Sequence, residues 1–155
     1  MPIRELSMEK GFWFKSEKFS IEKREDEETN PLCFGKSLAT WLCQRFSELG
    51  YESEVIPEDW GWCVICESNE YLLWLGCGCM TTEELMENYN EDNPPKGSEV
   101  VWHVFSTIEV PFFNFKTLFQ KWTGKLDLDT PLKKLNDNLE SVLKSESTVA
   151  FCEEP

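Results

Sequence analysis

Histidine is almost missing from this chain: His103 is the only one. That rules out metal sites built on several imidazoles, and no His-Glu-x-x-His is present. A Gly-rich phosphate loop, a Gly-x-Ser-x-Gly elbow and a calcium loop with its acidic spacing are missing too. No apolar run approaches the roughly 20 residues of a membrane-spanning helix, so no membrane association is expected. The start, Met1-Pro2-Ile3-Arg4-Glu5, reads as a polar arm with neither an apolar leader nor a cleavage site. Seven cysteines is an odd number. Together these features predict a cytoplasmic protein with reduced thiols.

Positive charge is scarce in one place. Residues 48–99 hold thirteen acids and one base, Lys96, and so carry −12 of the formal net charge of −14. Such a field repels nucleic acid and anionic membranes and attracts a basic protein partner. The same charge also serves solubility alone. Hydrophobic residues make up 41% and aromatics 14% of the 155 residues, enough to keep so acidic a chain folded. The length suits a single domain over 1–155. Within it, composition predicts a mobile, exposed loop over 22–31 and an acidic helix and loop over 80–99.

The centre of the fold lies between Pro57 and Cys77. Gly61–Cys66 and Tyr71–Gly76 read as two apolar strands around a Ser68-Asn69 turn. That turn sets Glu67 opposite Glu70, Val64 opposite Leu73 and Trp62 opposite Leu75. Trp62, Val64, Leu73 and Leu75 then share one face, and Cys63, Ile65, Leu72 and Trp74 the other. Both faces are apolar, as in a strand pair covered on two sides. Ser-Asn lacks the Gly of a tight hairpin, which leaves a longer loop open.

Cys63-x-x-Cys66 with Cys77-x-Cys79 has the look of a zinc ligand set. On regular strands, however, Cys63 and Cys66 face opposite sides, and Cys77 falls opposite Trp60, far along the ladder. Free, buried thiols follow, with neither metal nor cofactor.

The remaining elements are legible from periodicity. Gly11–Lys15 and Phe19–Glu22 suggest a first strand or hairpin. Leu38, Trp41, Leu42, Arg45, Phe46 and Leu49 mark a helix opened near Ser37 or Pro31 and stopped at Gly50. Tyr51–Ile56 reads as a strand, and Thr81-Thr82-Glu83-Glu84 as a capping box. Glu99–Glu109 is a long strand. A helix is expected through Phe112, Phe115, Leu118, Phe119 and Trp122, and another begins at Asp129-Thr130-Pro131, with Leu132, Leu135, Leu139, Val142 and Leu143 on its inner stripe. Thr148–Cys152 is an edge strand or a tail. The fold class is α+β: a mixed, mainly antiparallel sheet with helices mostly on one face.

No catalytic set emerges. His103, between Trp102 and Val104 in a strand, fits a core or interface histidine better than a general base. A thiol paired with it lacks the electropositive setting a thiolate needs. Two functional readings stand. The first is a non-catalytic interaction protein meeting a basic partner through Glu52, Glu54, Glu58, Asp59, Glu83, Glu84, Glu87 and Glu91, with Trp60 and Tyr89 as aromatic anchors. The second is a small-molecule-binding protein or enzyme with a Trp-lined pocket near Glu58, Asp59, Trp60 and Trp62.

The strings Leu49-Gly50-Tyr51 and Glu58-Asp59-Trp60-Gly61-Trp62 resemble a group of small uncharacterised bacterial α+β proteins, over roughly residues 35–80. The likeness implies the fold class and no chemistry. In general character (small, acidic, aromatic-rich, without a catalytic set) the chain is also similar to bacterial toxin-immunity proteins, which implies an inhibitor-like role.

Overall fold

A computed structural model describes residues 5–110 and 127–155. Seven strands form one sheet in which every described pair is antiparallel: β1 (Glu5–Met8), β2 (Phe12–Lys15), β3 (Glu54–Glu58), β4 (Gly61–Ser68), β5 (Leu72–Met80), β6 (Val101–Val110) and β7 (Ala150–Cys152). The spatial order is β3-β4-β5-β6-β2-β7, with β1 also beside β6. Among the described residues three helices complete the α+β fold: α1 (Lys36–Glu48), the short α2 (Glu83–Glu87) and α3 (Asp129–Ser145). The arm at Met1–Arg4 and the helix expected through Phe112–Trp122 lie outside the described residues.

The core lies on one side of the sheet. Trp62, Val64, Leu73, Leu75, Cys77, Trp102, Val104 and Ile108 form one buried cluster with Leu38, Leu42 and Phe46 of α1 and Leu132, Leu135, Leu139 and Leu143 of α3. Alternation along the strands puts these sheet residues on a common face, and α1 and α3 both cover it. Ser106 Oγ meets Asn136 Oδ1 of α3 at 3.0 Å on the same side.

The β4–β5 register differs from the expected one. Val64 pairs with Leu75 and Trp62 with Cys77, a two-residue displacement. A shift of two preserves which side chains share a face, so the expected face sets persist. The turn and a bulge together account for the shift: the longer turn displaces the pairing by three residues, so that Glu67 meets Leu73, and the bulge takes one back. Asn69-Glu70-Tyr71 is the connection, and Asn69 Oδ1 accepts from Glu70 N at 2.6 Å. A side-chain-capped loop of this kind replaces the two-residue turn that glycine would have permitted. A bulge follows: Ile65 pairs with Trp74 but Glu67 with Leu73. Glu67 therefore does not oppose Glu70, and the extra residue turns it to the helix-bearing side beside Leu73.

The first hairpin is also different. Phe19 and Ile21 are buried but form no strand. The outer edge of β2 is occupied by β7 from the far end of the chain, with Trp13 opposite Cys152. Glu5 belongs to β1 rather than to an arm, pairing with Val110. Strand β3 begins at Glu54, three residues later than expected, and as an edge strand it tolerates Pro57.

Helix starts show a common pattern, in which the cap is not the nearest candidate. Thr82, not Thr81, caps α2, accepting from Leu85 N at 3.2 Å. At α3 the carboxylate of Asp127 accepts from Asp129 N and Thr130 N, so Pro131 sits inside the first turn rather than at its opening. Helix α1 begins at Lys36 with Gly35, not Ser37, at the cap position, and the capping group comes from outside: Glu25 Oε2 accepts from Gly35 N at 2.8 Å and Lys36 N at 3.3 Å. Gly35 has φ +147, and a Cβ there would lie 2.8 Å from the Cys77 carbonyl oxygen, so only glycine lets α1 start against β5.

The acidic run at 22–28 is thus partly internal. Glu25 is 2% and Asp26 7% exposed. Asp26 accepts from Leu32 N at 3.0 Å and from the Tyr89 hydroxyl. Arg24 reaches Glu27, Glu91 and Asp92, and Lys36 reaches Glu22 and Glu28. No helix among the described residues is long and apolar enough to cross a membrane.

Candidate interaction surface

The acids of residues 48–99 emerge at the two ends of the sheet. Strand β3 carries Glu54 at one end and Glu58 at the other, four residues or roughly 13 Å apart. Glu52 joins Glu54. Glu58, Asp59, Glu83, Glu84, Glu87 and Glu91 lie at the opposite end, where β4 begins and β5 finishes. The structure brings the second set around the 24–34 segment, since Asn30 Nδ2 donates to the Asp59 carbonyl at 2.8 Å and Arg24 pairs with Glu91 at 3.3 Å. It does not bring the two sets together.

The expected contact residues differ in availability. Glu52, Glu54, Glu58, Asp59, Glu83, Glu84 and Glu87 are exposed and hold no ion pair among the described residues. Glu91 is already paired with Arg24. Tyr89 is half-buried, its ring 6.3 Å from Phe34 and its hydroxyl engaged by Asp26, so it is part of the frame rather than a projecting anchor. Burial, with the Asp26 carboxylate beside it, pushes the Tyr89 hydroxyl upward.

Trp60 and Trp62 do not line one pocket. Asp59-Trp60 is the two-residue turn between β3 and β4, since Glu58 pairs with Gly61. Trp60 is 42% exposed and lies over the face opposite the helices, 5.7 Å from Trp74 and 5.9 Å from Phe105. Trp62 is in the core, with the Lys36 ammonium 5.3 Å above its ring. The same face continues through His103, stacked on Trp13 at 3.8 Å. His103 Nε2 is buried with no hydrogen-bond partner among the described residues, and burial lowers the imidazole below its ordinary 6.5, against a smaller opposing effect of the Lys10 backbone.

The thiols are free and dispersed, and no three of His, Cys, Asp or Glu among the described residues converge on a metal position. Cys77 falls opposite Trp62 rather than Trp60. Burial pushes Cys63 and Cys79 up to about 12 and raises Cys66 and Cys77 as well. These four are protonated at neutral pH, and a protonated thiol is a poor nucleophile and a poor ligand.

At the Glu52 and Glu54 end lies a groove of about 970 Å³. It lies between the end of α1, the β4–β5 turn and the first turn of α3. Among the described residues, Glu52, Glu54, Glu67 and Asp127 line it together with Tyr51, Tyr71 and one base, Lys134. Sequence reading found Glu52 and Glu54 but missed the other two acids. Glu67 reaches the groove only because of the bulge, and Asp127 comes from a distant part of the chain. The Tyr51 hydroxyl accepts from Asn138 Nδ2 at 3.0 Å, and the Tyr71 hydroxyl donates to Glu67 Oε2 at 3.2 Å, so both hydroxyls are tied to neighbouring side chains. Comparison with protein-family models, curated proteins and solved structures returns no match.

Proposed function

We propose that this chain is a non-catalytic interaction protein that meets a basic protein partner, most concretely as an immunity-like inhibitor. One observation carries the reading: seven of the expected contact acids project from the molecule with no ion-pair partner among the described residues, although described bases elsewhere are spent on other acids. An uncompensated field of this size speeds encounter with a positive surface and weakens with added salt. Burial holds the Cys63 and Cys79 thiols protonated and secludes His103 Nε2, which favours surface carboxylates over these groups as the means of contact.

The test uses a copurifying or genetically linked partner. Reversing Glu83, Glu84, Glu87 and Glu91 to Lys is expected to slow association far more than it speeds dissociation, and to leave the fold intact. An association rate indifferent both to salt and to these reversals would mark the acidity as a solubility feature and overturn the proposal.

A further inference from the structure

We infer that the groove between α1, the β4–β5 turn and α3 is the seat of an arginine side chain presented by the partner, an assignment that rests on the reading of an acidic interaction protein. Three independent features converge there. The first is charge: among the described residues, Glu52, Glu54, Glu67 and Asp127 line the concavity with one ammonium, Lys134, and Asp127 is engaged by the α3 backbone, which leaves Glu52, Glu54 and Glu67 facing an entering cation. Glu52 and Glu54 have no ion-pair partner among the described residues, so their field is uncompensated. The second is the wall. Tyr51 and Tyr71 supply ring surface, and Leu49, 51% exposed, supplies apolar surface at the same place.

The third is rigidity. Tyr51 is held by Asn138 and packs 5.4 Å from Phe46, while Tyr71 is held by Glu67. A bulge in β4 costs the sheet one regular pairing and delivers Glu67 to this side. The groove is therefore shaped before anything enters it, which lowers the ordering cost of binding.

Guanidinium is the group that uses all three features. It is planar, it stacks on tyrosine rings, and its fork of donors satisfies carboxylates at the same time. An ammonium satisfies the charge but not the plane. The aliphatic stem of arginine suits an apolar lip such as Leu49. Around α2, at the opposite end of the sheet, the nearby tyrosine, Tyr89, has its hydroxyl engaged by Asp26. That end acts in steering, whereas the groove acts in seating.

The decisive measurement is a titration of the full-length, nitrogen-15-labelled protein with a capped pentapeptide carrying two arginines around a leucine, at low salt. Its glutamine-for-arginine twin and spermidine serve as comparison probes. The arginine peptide is expected to shift the amides of Tyr51, Glu52, Glu67 and Tyr71 most, and the glutamine twin to shift none. Glu52→Gln with Glu54→Gln is expected to weaken binding by roughly tenfold or more, as for loss of close charge partners. Glu83→Gln with Glu87→Gln, the same charge change at the other end, is expected to weaken it far less.

If the α2-end pair weakens binding as much as the groove pair, or more, the groove assignment falls while the acidic interaction reading stands. If the arginine peptide binds nowhere at low salt, both fall. Spermidine binding as tightly as the peptide, with the same residues shifted, would make the site one for small organic cations and overturn the partner-arginine assignment.

Discussion

Glu25 and Asp26 belong to a run of charged residues that reads as solvated loop, yet both are inside the molecule, serving as acceptors for backbone N–H groups and a tyrosine hydroxyl. A buried carboxylate is retained only where it satisfies donors that would otherwise be orphaned, and the opening of α1 is such a place. Burial raises the Glu25 carboxyl above its ordinary 4.5, while its backbone donors pull the other way. His103 is the opposite case. Its folded value lies below 6.5, so the folded protein binds fewer protons there than the unfolded chain. Its contribution to stability is complete above 6.5 and lost as the pH falls through the folded value. Urea unfolding midpoints measured from about pH 8 down to about pH 5 are expected to decline less steeply for His103→Gln than for the natural chain. Parallel declines would show that the imidazole titrates alike in both states.

At the scale of elements, the β4–β5 pair is the centre, covered by both long helices. Leu73, 1% exposed, lies beside the bulge and beneath the helices. Leu73→Ala is expected to cost roughly 2–5 kcal/mol in chemical denaturation, from lost burial and the cavity left behind. A loss below about 0.5 kcal/mol, the range of ordinary surface sites, would place this pair at the periphery. The outer strands are protected differently. Strand β3 has Glu54, Pro57 and Glu58 along the edge, which discourages further strand addition. Strand β7 is short, and its Phe151 packs back on Phe12 and Phe14 at 6.1 and 6.4 Å.

Over the whole molecule, a net charge of −14 on 155 residues means that folding concentrates like charge. The described ion pairs, mostly exposed, offset little of it, because surface pairs of this kind contribute little each. Self-repulsion therefore dominates at low ionic strength. Raising sodium chloride from about 10 mM to about 150 mM, which shortens the screening length to about 8 Å, is expected to raise the thermal midpoint. A fall would mean that the Arg24 and Lys36 pairs outweigh the repulsion. The same screening should weaken partner association, so stability and binding are expected to move in opposite directions with salt.

Much of the architecture was legible from side-chain periodicity. The face sets of β4 and β5, the two faces of β6 and the inner stripe of α3 follow from alternation and helical spacing, because burial selects apolar residues at the repeat of the backbone itself. The location of the acids within residues 48–99 was equally plain. Tertiary structure alone decided the β4–β5 register, because a three-residue turn capped by Asn69 and a bulge at Cys66 carry no strong sequence mark. It also decided that β7 rather than residues 19–22 flanks β2, that a distant glutamate caps α1, and that the acids divide between two ends of the sheet. Periodicity describes which side of an element is buried and says nothing of what packs against it. The groove joins Tyr51, Glu67 and Asp127 from three separated stretches, and only the folded chain brings them together.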